Sequence, residues 1–413
     1  MQTFPTSLED MDALLTTPTS LEDRILSFDP QQVRQNREKL LAEASTAQWL
    51  ATWVRTLDGR VSVDLSLNET HLEALRRISD TFSGALLGML PEPALQDFPR
   101  MALAKYKDAF FKQQRTWPDL NVSDRASLIC LDNIPHSVGL PRQLYSTATD
   151  SFKVASRDQF LHLVEHLMKA VTHEENIRGA INGHRERLAT ILHELFKNTH
   201  DHARTTVDKR PLPISIRGVY SRYYSAEDLA KTVPKSKKDK NGNELPLVIN
   251  QVERYASYFL RPRVGQNNRL VAVEAPTFLG LLELSIFDTG PGFAATYLKD
   301  RIADSTAQDQ FEAVRGCFKT GRSATEDETR GYGLWKVLRD LNDMKGFIRV
   351  RTNRVHVYRD FALYKNLFMQ QEIVAPEERL MDWQRGITQK VTEGYPDMQG
   401  ALVSVLIPLG DNL

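Results

Sequence analysis

Apolar and polar residues follow a strand-like period most clearly at residues 281–293, LLELSIFDTGPGF, where Leu282, Leu284 and Ile286 recur at every second position. That period predicts a half- or fully buried strand. The run ends in Asp288, and Gly290-Pro291-Gly292 marks a turn there. A helical period appears at residues 188–203, LATILHELFKNTHDHA, with Leu188, Ile191, Leu192, Leu195 and Thr199 forming one apolar stripe. Helical spacing returns from Leu334 to Leu341, with Gly346 as a helix-to-strand turn. Residues 347–358 (FIRVRTNRVHVY) alternate as one strand, and 400–409 (GALVSVLIPL) read as a closing strand. Residues 213–220 fit an intervening strand and 251–260 an inserted helix.

The first half of the chain reads as a mixed α/β region. Residues 59–66 and 126–131 suit strands, while 71–90 suits a helix. Residues 105–115 interleave cations with Tyr106, Phe110 and Phe111, which predicts an amphipathic helix with a basic outer face. Residues 151–180 predict a helix leading into the 188–203 helix. Residues 1–45 carry a short repeat, Pro5-Thr-Ser-Leu-Glu-Asp10 and Pro18-Thr-Ser-Leu-Glu-Asp23, each copy able to open a short helix after a Ser or Thr cap. Two copies are too few for a solenoid.

Candidate chemistry lies where these elements end. Glu194, Asn198 and His202 are four residues apart and stack along one stripe beside the apolar one. The carboxamide of Asn198 can bind Mg²⁺, which keeps most of its waters and takes further ligands from phosphates. Glu194 can orient or deprotonate a water or hydroxyl. Asp288 at a strand end can accept a hydrogen bond from an exocyclic amine, while the glycines after it let backbone approach a ligand. In residues 316–341, Gly321 and Gly331/Gly333 bracket a polar segment suited to a mobile loop. Gly331-Tyr332-Gly333 then precedes a helix, where free amides favour phosphate, and Lys319, Arg322 and Arg330 add positive charge. His202 can contact phosphate or cap the C-terminal end of the helix, where an imidazolium suits the dipole, and the cap is the preferred reading.

In this order the blocks resemble the GHKL superfamily of type II topoisomerases, ninety-kilodalton heat-shock chaperones, histidine kinases and mismatch-repair proteins. Residues 188–203 are similar to its N box, Asp288-Thr289-Gly290-Pro291-Gly292 to its first glycine box, and Gly331-Tyr332-Gly333-Leu334 to its second. The closing strand, with its Leu-Ile-Pro408-Leu ending, looks like that of kinase-type members. The resemblance covers roughly residues 180–410. It implies an α/β (α+β) chain: an N-terminal α/β region followed by a Bergerat-type two-layer sandwich, mainly antiparallel, with helices on one face. It also implies ATP and Mg²⁺ as cofactors, with Glu194 as base, Asn198 as metal ligand and Asp288 as adenine reader. Thr320, Gly321, Gly331, Tyr332, Gly333 and Leu334, with Gly290 and Gly292, then line the phosphates and lid. The corresponding division is an arm at 1–45, an α/β or mainly helical region at 46–179, and an ATP-binding domain at 180–413. Insertions fall near 225–275 and 360–396. Trp383, Phe368 and Tyr395 in the second insertion read as core aromatics.

Charge and cysteine content narrow the classes. The 413 residues carry 53 basic and 53 acidic side chains, so no global field points to nucleic acid or acidic lipid. The basic run at 231–243 reads as a solvated loop. Cys130 and Cys317 are too few for a disulfide framework or a zinc site and fit a reducing cytoplasm. No run approaches the roughly 20 apolar residues of a membrane span. The first residues lack the order of a signal peptide. Three functions remain as expectations: an ATPase switch acting on a protein partner or dimerising the chain, an anti-sigma-type serine kinase with a separate protein substrate, and a non-catalytic ATP-gated module. Histidine autophosphorylation is disfavoured. His173 precedes Glu194 by 21 residues, too short an interval for a dimerisation hairpin at about 1.5 Å per residue. A topoisomerase-like lysine from a following domain is disfavoured by the short stretch after Pro408.

Overall fold

The computed structural model describes residues 2–5, 7–16, 24–29, 31, 33–34, 38–91, 94–115, 124–146, 153–234, 249–260, 278–319, 333–363, 380–386 and 390–410. The chain is mixed α/β. Strands β1 (Gln2–Thr3), β2 (Ile25–Phe28) and β3 (Arg60–Val63) make a small parallel sheet. The large sheet contains β4 (Arg125–Leu131), β5 (Ile216–Ser225), β6 (Phe278–Asp288), β7 (Phe347–Asn353), β8 (Val355–Asp360), β9 (Met381–Asp382) and β10 (Met398–Gly410). Its order is β4-β5-β6-β10-β7-β8-β9, and every neighbouring pair is antiparallel.

The alternation along β6 is realised. Leu282, Leu284 and Ile286 enter one core, while Leu281 and Phe287 enter cores on the opposite face. On the first face lie α2 (Arg157–Val171), α3 (Arg185–His202), α4 (Ala307–Cys317) and α5 (Gly333–Asp343). Helix α3 buries the predicted stripe of Leu188, Ile191, Leu192, Leu195 and Thr199, leaving Glu194, Asn198 and His202 partly exposed. The opposite face is also covered, mainly by α1 (Ala42–Thr56), where a two-layer sandwich has helices on one face only. The reason is in the strands: Tyr220, Phe287 and Leu402 on that face are as apolar as the side chains facing α3 and need their own cover. Trp49 and Trp53 of α1, stacked at 5.6 Å between ring centroids, belong to this second core.

Strand β4 pairs with β5 from Arg125↔Arg222 to Leu131↔Ile216. The boundary placed at residue 180 therefore does not coincide with a break in the sheet. Other expectations shift locally. The helix expected over 71–90 forms as His71–Ile78 and Phe82–Leu87, because Thr81 starts a new cap by accepting from Gly84 N. The 151–180 helix is likewise two, α2 and Glu175–Gly183, with His173 to Asn176 exposed at the junction. The intervening strand lies at Ile216–Ser225, slightly later than expected. The single strand expected over 347–358 is the hairpin β7–β8. Asn353 takes a φ of +46° at that turn, where the apolar positions change phase from 348 and 350 to 355 and 357. The inserted helix is present at Gln251–Leu260. Trp383 and Tyr395 are buried, whereas Phe368 and most of the 231–243 run lie outside the described residues.

Candidate functional site

Helix α3 carries Glu194 and Asn198 toward the start of α5. A Cβ on Gly333, the first residue of α5, would lie 2.5 Å from Glu194 Oε2, so glycine is what admits the carboxylate there. Glu194 Oε1 stands 3.7 Å from His193 Nδ1 and 3.8 Å from Lys336 Nζ. His193 first, then Lys336 and Lys197, hold the Glu194 carboxyl below its ordinary range against the opposing effect of burial. It is thus ionised at neutral pH. It borders an open polar cleft of about 830 Å³, which Lys336, Arg339, Arg187 and Asp340 also line. No side-chain hydrogen bond of Asn198 is found among the described residues.

Asp288 ends β6 and is 5 % exposed. Its Oδ1 accepts from Gly290 N at 2.9 Å and Ala401 N at 3.3 Å. No hydrogen bond to Oδ2 is found among the described residues. Burial pushes the carboxyl up to about 6, while those two amides and Arg217 pull it down. The turn that follows is built from several directions. A Cβ on Gly290 would lie 2.5 Å from Cα of Ala203, so the first glycine segment lies against the residue that ends α3. Gly292 has a φ of +85°, and a Cβ there would meet Asn353 Oδ1 and Thr352 Oγ1. Asn353 Nδ2 donates to Pro291 O, and Phe293 N donates to Thr352 Oγ1. From the opposite face of the sheet, Arg55 of α1 donates to Thr289 O at 2.9 Å.

Glu194 therefore lies against Gly333 at the start of α5, while Gly290, in the turn after Asp288, lies against Ala203 at the end of α3. Leu334 is buried in the core beneath α5. Thr320, Gly321, Gly331 and Tyr332, with Arg322 and Arg330, lie outside the described residues. His202 is the last residue of α3, as a dipole-side imidazole requires. The sequence reading missed Arg55, Thr352, Asn353 and a buried set around Arg217. The signal in the sequence for the last of these is an arginine next to the apolar and aromatic positions of residues 216–225. Arg217 donates to Asp132 through Nε (2.8 Å) and Nη2 (2.6 Å), and Nη2 also reaches Tyr145 Oη at 2.6 Å. Burial opposes ionisation of Asp132, but Arg217, Ser215 and Arg204 hold its carboxyl below the usual value.

No protein-family model, curated protein or solved structure matches the chain. No described helix is long and apolar enough to cross a membrane. The donor set fits a purine nucleotide on its own chemistry. Among the described residues no side-chain hydrogen bond is made to Asp288 Oδ2 or to the Asn198 carboxamide, and the N-terminal amides of α5 can face an anion. Among the described residues no group of three or more His, Cys, Asp or Glu side chains could hold a metal ion.

Proposed function

We propose that the chain binds Mg-ATP in a GHKL-type site and uses the nucleotide as a conformational switch on a protein partner, hydrolysing it slowly. The observation that supports this reading is that helix α3 lies against both other blocks, against Gly333 through Glu194 and against the turn after Asp288 through Ala203. Asp288 accepts from the amino group of the base, and Asn198 with the phosphates holds the cation. Bound Mg²⁺ supplies charge neutralisation of the phosphates. Glu194, ionised at neutral pH, accepts a hydrogen bond from a water or hydroxyl and orients it.

A second reading is transfer of the phosphoryl group to a serine or threonine of a separate protein. The open cleft beside Glu194 favours it, because an acceptor side chain could enter there. The test is phosphate release from Mg-ATP by the purified chain, with melting-temperature shifts measuring binding. Turnover in the wild type, binding without turnover in Glu194→Ala, and no binding in Asp288→Asn are the expected results. Binding without turnover in the wild type moves the search to label transfer onto a partner. No binding by the wild type ends the nucleotide reading.

A further inference from the structure

Lys336 lies at the first turn of α5 and borders the same open cleft of about 830 Å³ as Glu194. Its side chain is 44 % exposed, and its Nζ stands 3.8 Å from Glu194 Oε1. That distance makes an ion pair but is too long for a hydrogen bond. No hydrogen bond from Nζ is found among the described residues, so the ammonium's donors are open to the cleft. Arginines of the same cleft stand against other carboxylates, Arg339 at 3.3 Å from Asp340 and Arg187 at 3.6 Å from Asp343. Lys336 is the lining cation paired with Glu194.

Helix geometry explains the placement. Lys336 and Gly333 are three residues apart and share one face of α5. A helical side chain leans back over the turn that precedes its own Cα, so the lysine stem runs toward Gly333. Glycine leaves that path clear, and the three atoms nearest a Cβ on Gly333 all belong to Glu194. Carboxylate and ammonium are thus brought together at the end of α5 where backbone amides lack intrahelical partners.

We propose that Lys336 reads the terminal phosphate of the bound nucleotide: Nζ donates to a phosphate oxygen and stands between that phosphate and Glu194. An ionised carboxylate and a terminal phosphate repel each other, and a cation within reach of both offsets that repulsion. The flexible four-carbon stem lets Nζ turn from one anion to the other. This inference rests on the nucleotide-site reading.

The experiment is calorimetric titration of the full chain, in Mg²⁺, with ADP and with β,γ-imido-ATP, which keeps the terminal phosphate without turnover. Lys336→Met should weaken binding of the imido analogue about 10-fold or more, the loss of one charge-assisted hydrogen bond, and leave ADP binding unchanged. Lys336→Arg should keep most of the preference for the analogue. Arg339→Met, which removes a cation of the same cleft one turn further on, should change neither affinity. If Lys336→Met fails to fold by circular dichroism, Lys336→Gln replaces it with the same expectation. Unchanged binding of the analogue by the Lys336 variant overturns the inference. An equal loss for ADP, or an equal loss in Arg339→Met, assigns the effect to the general charge of the cleft and also overturns it. Absence of binding of either nucleotide by the wild type is a failure of the underlying site reading.

Discussion

Asp288 combines two opposing demands. In its proposed role as base reader it must be ionised, yet burial pushes its carboxyl up to about 6. Between the unfolded value near 3.9 and about 6, the folded chain binds a proton that the unfolded chain does not. Stability of the unliganded protein therefore falls as pH rises through that window, by up to roughly 3 kcal/mol. Asp288→Asn keeps an oxygen that can accept from Gly290 and Ala401, and should raise the unliganded melting temperature at pH 7. That advantage should vanish near pH 4, which thermal melts at the two pH values check. Affinity for ATP in the wild type should fall as pH drops below about 6, because the protonated acid no longer accepts from the amine. Gly333 gives a second residue-scale expectation. Gly333→Ala places a Cβ against Glu194 Oε2 and should displace that carboxylate. Turnover should drop by about 10-fold or more while ATP binding changes little, as rate and melting-shift assays on one preparation can show.

Among the elements, α1 has the least obvious role from sequence. Gln48 Nε2 donates to Arg351 O and Gln399 O, Thr52 Oγ1 accepts from Gln399 N, and Arg55 reaches Thr289 O. The helix is thus bonded to β7, to β10 and to the turn that follows Asp288. Glu43 is buried beside Tyr220 of β5, whose hydroxyl donates to it at 2.8 Å, and it also accepts from Phe82 N. Trp49→Ala should destabilise the chain by about 3–5 kcal/mol, read by denaturant unfolding, since it empties the second core. Arg55→Met removes a donor to Thr289 O at the edge of the site. It should weaken ATP binding several-fold without comparable loss of melting temperature. Helix α3 was legible because its two stripes differ so strongly in polarity. The β7–β8 hairpin was read as one strand although the apolar positions slip phase at Asn353-Arg354, from 348 and 350 to 355 and 357, because that two-residue break carries no glycine or proline.

At the scale of the molecule, the large sheet is covered on both faces and spans the boundary placed at residue 180. A fragment of residues 180–413 would lose β4 from the sheet edge and α1 from its back, exposing Tyr220, Phe287 and Leu402. Such a patch and an open edge favour aggregation. The fragment should be insoluble or molten by near-ultraviolet circular dichroism, and the whole chain should melt in one transition. Two well-separated transitions, with a soluble folded fragment, would refute this.

Local pattern alone determined the strand ending at Asp288, the two-striped helix of Glu194 and Asn198, and the order of the glycine segments. It could do so because periods of 2 and 3.6 and turn residues act over a few positions. Tertiary structure decided what stands opposite what: Arg217 beside Asp288, Gly333 against Glu194, and α1 across the back of the sheet. These depend on strand order and register between segments tens to hundreds of residues apart. A sequence without aligned relatives carries no local mark of such pairing.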